Sequence, residues 1–441
     1  MKQHRRAIAL LATAALGVTA LTSCTAAPSD DEDVTITWWA TNLASSIQRD
    51  EEILTPILER FTEETGIKVE FEVNTWADYY NKVLGAVSSG EGPDVMSVGT
   101  TWTQTLADTG AFLQLDGTRM DAIGGADKFV PASIAAAGGD AEGGPSFLPM
   151  VNGVTNLWYN PAMFAEAGLT EPPADLDSFV EVAKQLTIDT DGDGSIDQWG
   201  LGYPAGSAQE LSHTIFAFGR QYGGEMFDKD GEPTLDADGI VEAAKSLTDL
   251  MAAEGIVSTA DVESTQSQDM YQEFIDGRVA MIWGANPVPA FRDAGFEDYA
   301  PGYIPVIEPL IGDPIQTHIA GVNIGVFAET KHEEAALELM RYLTDVETQA
   351  DFWNELELLP TNAEAYDSGA VEKTEAFEIY SDILANHADT FPLNSKTGQA
   401  ETLIGDAMKQ LFARAALEGP LSEAAIREVL EQANTQLIAA G

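Results

Sequence analysis

Cysteine occurs once in this sequence, so no disulfide can form within the chain and the fold must stand on its apolar core. Basic residues are also scarce: 22 Lys and Arg face 72 Asp and Glu, a formal net charge of −50. They form no cluster. Such a surface repels phosphate backbones, so nucleic acid is a poor partner, and it repels anionic lipid and anionic solutes unless a local cation intervenes. Beyond residue 21 no apolar run reaches the length of a membrane span. Nucleophile and phosphate-loop motifs are missing, with neither G-x-S-x-G nor Walker A present. Lys331-His332-Glu333-Glu334-Ala335-Ala336 lacks the second histidine of a zinc-protease helix, position 336 being alanine. A carboxylate pair for glycoside hydrolysis could be picked anywhere among 72 acids, so its availability carries no weight.

What is present is 44% hydrophobic residues in 441, enough for more than one domain with a real core and too many for a disordered acidic chain. Lys2, Arg5 and Arg6 precede an apolar stretch at 7–21, the length of a secretory h-region. Leu21-Thr22-Ser23-Cys24 then resembles the bacterial lipobox, which implies cleavage before Cys24 and lipid on its sulfur. The other reading is an ordinary secretory signal followed by a chance cysteine. With several acyl chains on Cys24 the anchor would be durable, and residues 24–33, small, polar and acidic, would tether the body.

The fold signal begins with the β-branched and aromatic run at 34–38, a strand. Ile53, Leu54, Ile57, Leu58 and Phe61 recur at helical spacing, and Gly66 suits a C-cap. Residues 67–73 alternate as a half-buried strand does, 77–88 read as a helix, and 94–98 as a third strand. Strand, helix, strand, helix, strand is the pattern of a crossover α/β layer. A second region opens near Asn152, with a strand at 157–159, helices at 176–186 and 240–253, an apolar strand at 279–283, and helices at 333–342, 401–417 and 422–438.

Several segments, in order, resemble the extracellular solute-binding proteins of carbohydrate ABC transporters, the maltose-binding-protein-like family. They are Gly90-Glu91-Gly92-Pro93-Asp94-Val95, the run from Leu157-Trp158-Tyr159-Asn160-Pro161 to Gly168-Leu169 with Pro172-Pro173 behind it, Phe274-Ile275-Asp276-Gly277-Arg278-Val279-Ala280-Met281, Gly321-Val322-Asn323-Ile324-Gly325-Val326, Leu358-Leu359-Pro360-Thr361 and Leu417-Glu418-Gly419-Pro420. The resemblance covers nearly all of 34–441. It implies two α/β lobes, 34–150 with 318–353 and 151–317 with 354–441, each a central sheet flanked by helices, and a ligand cleft between them. The implied crossings fall near 147–153, 316–321 and 353–356. It further implies a monomeric, non-enzymatic receptor on the outer face of the cytoplasmic membrane, closing about a hinge on a sugar or oligosaccharide and handing it to a permease. A binder of a polyol or peptide, and a secreted glycan-degrading lipoprotein, are the alternatives.

Sugars need aromatic faces for their C–H side and planar polar groups for their hydroxyls. Trp39, Thr41 and Asn42 follow the first strand, Trp76 the second, and Thr101 and Trp102 the third, where open α/β layers bind ligands. By resemblance Glu210 and His213 contact sugar from the second lobe, while Trp283 and Asn286 close the "AM" strand. Asn152, Tyr203, His318 and Asn323 complete the candidates. Many family members carry an aromatic two residues after the glycine of that strand; here Gly284 is followed by Ala285 and Asn286, which argues against carrying over maltodextrin specificity.

Asp189, Asp191, Asp193, Ser195 and Asp197 alternate around a Gly turn as ligands of a structural Ca²⁺ do. Gly200 stands where an EF-hand wants Glu, so Asp197 would have to close the site. A solvated acidic turn is the competing reading.

Overall fold

The computed structural model describes residues 34–440 other than Asp140 and Glu142. The secretory signal, lipobox at Cys24 and tether expected within residues 1–33 lie outside the described residues. Eleven strands follow in chain order: β1 (Thr35–Thr41), β2 (Lys68–Asn74), β3 (Val95–Gly99), β4 (Leu148–Gly153), β5 (Asn156–Tyr159), β6 (Met281–Gly284), β7 (Ala300–Gly302), β8 (Thr317–His318), β9 (Ala320–Val326), β10 (Leu359–Pro360) and β11 (Ala388–Asp389).

Six of them form one sheet in the order β10-β4-β9-β3-β1-β2. β1 runs parallel to β2 and β3, whereas β9 is antiparallel to β3 and β4. Val95-Met96-Ser97-Val98-Gly99 lies inside the sheet and is buried throughout. β2 is an edge, and its Lys-Val-Glu-Phe-Glu run alternates between exposed and half-buried as the sequence pattern requires. The helix Ile47–Thr65 packs Ile53, Leu54, Ile57, Leu58 and Phe61 into this core, and Gly66 ends it at φ 77°.

The second sheet has the order β6-β5-β7. Its core draws on helices Leu176–Gln185, Ala208–Gln221, Asp238–Ala252, Thr397–Glu418 and Glu423–Ala439. Each helix was legible as a run of helical spacing except Ala208–Gln221. Ser422 caps the last one by accepting from Ala425 N. The architecture is therefore α/β in two lobes, each a sheet flanked by helices.

The chain leaves the six-stranded sheet after Gly153 and enters the second at Asn156; Ile319 separates β8 from β9. The crossing expected at 353–356 lies elsewhere. Those residues end the helix Val346–Leu356, whose C-cap Glu357 adopts φ 53° and turns the chain back. Leu359 and Pro360 then pair with Asn152 and Val151, so β10 still belongs to the first sheet rather than the second lobe. The chain then runs through the helix Glu375–Asn386 to β11, which pairs with β8.

Candidate functional site

A cavity of about 500 Å³ opens between the two sheets. On the first-lobe side it is bounded by the loops that follow β1, β2 and β3. The 42–45 loop is held from behind by Asp50, a buried carboxylate in the first turn of the helix Ile47–Thr65. Asp50 accepts from Ala44 N at 2.9 Å, from Leu43 N at 3.1 Å and from the Asn42 amide. The Asn42 carbonyl in turn accepts from Trp76 Nε1 at 2.8 Å. Trp76 meets Trp102 edge-on at 5.6 Å, and Tyr80 packs on Trp102 at 4.9 Å. The result is an aromatic wall in which Trp102 is buried and Trp76 and Tyr80 are half-buried. Burial, reinforced by the charge of Glu401, pushes the Tyr80 phenol up to about 12, so it stays neutral.

The second-lobe side is polar. Ser207 caps the helix Ala208–Gln221, which presents Glu210 and His213 one turn apart. Glu210 Oε1 accepts from Ser267 Oγ at 2.7 Å. His213 Nε2 lies 2.9 Å from Glu401 Oε1 on the helix Thr397–Glu418, and its ring lies 4.0 Å from that of His318 in β8. Burial works against the His213 proton, but the hydrogen bond and charge of Glu401, with Glu210 beyond, hold its pKa above the ordinary histidine value. Burial and the neighbouring His213 drive His318 far the other way, so it is neutral. Three buried atoms lack a protein partner here: His318 Nδ1, Glu401 Oε2 and Asn286 Oδ1. A solute's hydroxyls would satisfy them.

The walls also touch. Asn286 Nδ2 donates to Leu43 O at 3.2 Å, and Ser45 Oγ hydrogen-bonds Asp293. Gly321, at φ 137°, lets β9 lie against β4 at the cavity floor, where a Cβ would stand 2.2 Å from Val151 O.

The model of the bacterial extracellular solute-binding protein family matches residues 44–350, most of the chain. The chain belongs to this family. It is 26% identical over 310 residues to a binding protein of Brucella abortus, covering 68% of this chain and 70% of that one. It is 27% identical over 286 residues to the diacetylchitobiose binding protein DasA of Streptomyces coelicolor, covering 64% and 63% of the two chains. Its fold matches the maltose/maltodextrin-binding domain MalE of Bdellovibrio bacteriovorus, bound to maltotriose, with a TM-score of 0.76 over 92% of this chain and 100% of that one at 22% identity.

In this solute-binding protein Asn42, Trp76, Thr101 and Trp102 stand in the first-lobe wall. Glu210, His213, Asn286 and His318 stand in the opposite one. Six other expected positions do not line the cavity. Trp39 alternates onto the face of β1 covered by the helix Trp76–Ser89, where it packs beside Tyr79 and Val83 and Lys82 Nζ sits 4.0 Å over its ring. Thr41 is buried in β1. Asn152 bonds Ser133 Oγ at 2.6 Å, and Asn323 bonds Thr103 Oγ1 at 2.8 Å, both inside the sheet region. Tyr203 and Trp283 pack on each other at 5.6 Å within the second core, where Trp283 also meets Phe179 and Phe218. Tyr80, Tyr271, Ser267 and Glu401 line the cavity and were missed. Tyr80 lies one helical turn after Trp76, a spacing that places both on one face. Glu401 has no comparable local signal.

In the acidic loop, Asp189, Asp191 and Asp197 bring oxygen atoms within 4.8 Å of one another. Asp193 and Ser195 are not in that group: Asp193 Oδ1 accepts from Ser195 N at 2.8 Å, an arrangement of the turn itself. Asp189 accepts from Gly192 N and Gly194 N, and these bonds hold its pKa below the usual carboxylate value.

Proposed function

We propose that this solute-binding protein is a non-enzymatic receptor that binds a neutral sugar or oligosaccharide between its lobes and delivers it to an ABC permease. The observation that carries the reading is the division of one cavity into an aromatic wall, Trp76-Trp102-Tyr80, and a hydrogen-bonding wall, Glu210-His213-His318-Glu401. A pyranose has the same division between its C–H face and its rim of hydroxyls. The cavity's size falls within the range of small-molecule sites. The relative named for diacetylchitobiose supports a saccharide as the solute. Among the described residues no helix is long and apolar enough to cross a membrane. We place the protein outside the cell, anchored through lipid on Cys24, and acting as a monomer.

The acidic loop is proposed to hold a structural Ca²⁺ through Asp189, Asp191 and Asp197, whose oxygens come within reach of one ion.

The test is a thermal-shift screen of the purified protein against neutral mono- and oligosaccharides, polyols and short peptides. Ligand binding to the native state raises the melting temperature by mass action. A shift with a saccharide supports the reading. Shifts confined to polyols or peptides would replace the sugar by that class, and release of cleaved saccharide would make the protein an enzyme.

A further inference from the structure

The cleft loop 42–45 carries two bonds that matter to the cavity: the Asn42 carbonyl holds the Trp76 indole, and the Leu43 carbonyl receives Asn286 from the other lobe. The Asn42 N–H is anchored to Asn74 O at 2.9 Å and its amide also donates to Ala44 O at 3.1 Å. The Asn42 amide and the Leu43 and Ala44 N–H groups converge on Asp50, which is buried and does not line the cavity.

All the hydrogen-bond partners of this carboxylate are donors: the Asn42 amide and the Leu43 and Ala44 N–H groups. The ionised form accepts from all of them. In the neutral acid one oxygen becomes an O–H, which the Leu43 and Ala44 N–H groups cannot receive and the Asn42 amide could receive only by turning over and giving up its own donation. We propose that Asp50 is a positioning residue for the cleft, whose carboxylate sets the 42–45 loop and through it the stance of Trp76 and the Leu43–Asn286 contact between lobes. The proposal rests on the cavity being the solute site only for its significance; the placement of Trp76 is tested without any solute.

Burial is the largest influence on Asp50 and raises its pKa to about 6, against the pull of its three donors. The loop is therefore set above that value and slackened below it. The other charged groups around the loop are already engaged. Arg49 pairs with Glu52 and Glu355, and Asp293 reaches Ser45 from the opposite lobe. His213, paired with Glu401, titrates on the far wall.

The experiment is tryptophan emission of the intact protein titrated from about pH 4.5 to 8, with the Trp76→Phe spectrum subtracted to isolate Trp76. The account expects a step with its midpoint near 6 that is absent in Asp50→Asn. A step that persists in Asp50→Asn overturns the proposal by assigning it to His213 or another group, and so does a flat wild-type titration. Should Asp50→Asn not fold, wild-type amide exchange decides. Protection of Leu43 and Ala44, corrected for intrinsic rate, is expected to fall about tenfold between about pH 7.5 and 5. Unchanged protection overturns the proposal.

Discussion

His213 Nε2 and Glu401 Oε1, separated by 188 positions in sequence, meet at 2.9 Å in the second-lobe wall of the cavity. Against the burial of His213, the hydrogen bond and charge of Glu401 raise its pKa, with Glu210 as a weaker influence in the same direction. Glu401→Gln removes the charge and keeps the shape. The His213 pKa should fall below the ordinary value, as read by NMR titration of its ring. Solute affinity should drop at least about tenfold, or about 1.4 kcal/mol, because Glu401 Oε2 loses its charge as a hydroxyl acceptor. An unmoved His213 titration would refute the pairing.

Trp76 and Trp102 divide labour. Trp76 is half-buried with its indole N–H tied to Asn42, so Trp76→Ala should weaken saccharide binding more than about tenfold with a small loss of stability. Trp102 is 5% exposed and packs on Trp76, Tyr79 and Tyr80, so Trp102→Ala should weaken binding and also destabilise the first lobe. Calorimetric affinity and melting temperature, measured on both variants, separate these effects. Equal affinities in wild type and both variants would remove the aromatic wall from the account.

Trp283 predicts the reverse. It is 4% exposed among Phe179, Tyr203 and Phe218. Trp283→Ala should cost about 3–5 kcal/mol in denaturant unfolding, the usual price of emptying an aromatic site in a core. Any affinity change should be secondary to that loss.

Stability should be higher in mild acid than in mild base. Burial raises Asp50 to about 6, and raises Asp261 and Glu357 to about 7. An acid whose native pKa lies above its unfolded value binds its proton more tightly when folded, so each adds stability as pH falls from above 7 toward 4. His213, raised in the native state by Glu401, acts in the same direction: its contribution is lost as pH rises through its native value. Asp94 and Asp189, held low by hydrogen bonds despite the cost of burial to Asp94, contribute stability that is lost only in stronger acid. The melting temperature should therefore be greater near about pH 5.5 than near about pH 8, and fall again below about pH 4. Salt should narrow the gap by screening a chain of net charge −50. A melting temperature that rises steadily from pH 5.5 to 8 would contradict these assignments.

Calcium at about millimolar concentration should raise the melting temperature, and Asp189→Asn with Asp191→Asn should abolish that rise while leaving sugar affinity unchanged. No response to calcium in the wild type would leave the loop as a solvated turn.

Local patterns carried most of the fold. The alternation of β2, the Ile53-to-Phe61 spacing and the Gly66 cap are short-range consequences of burial on one face and of backbone conformation. The end of the first sheet was not legible, because the return of β10 beside β4 depends on a turn at Glu357 with a positive φ that a non-glycine residue rarely adopts. The first-lobe wall could be read from the loops after β1, β2 and β3, since the crossover pattern places those loops at one edge. The second-lobe wall was legible only in part. Trp283 lies within β6, near its end, and faces inward, and Glu401 reaches His213 from a helix distant in sequence. Which way a strand-end aromatic points is decided by long-range packing.

The most direct test of the central claim is calorimetric titration of the purified protein with neutral mono- and oligosaccharides, followed by chromatography of the sugar recovered after denaturation. The account predicts saturable heat at one site per chain for at least one saccharide, and recovery of that saccharide unaltered. No saccharide giving heat, or recovery of cleaved sugar, would contradict it.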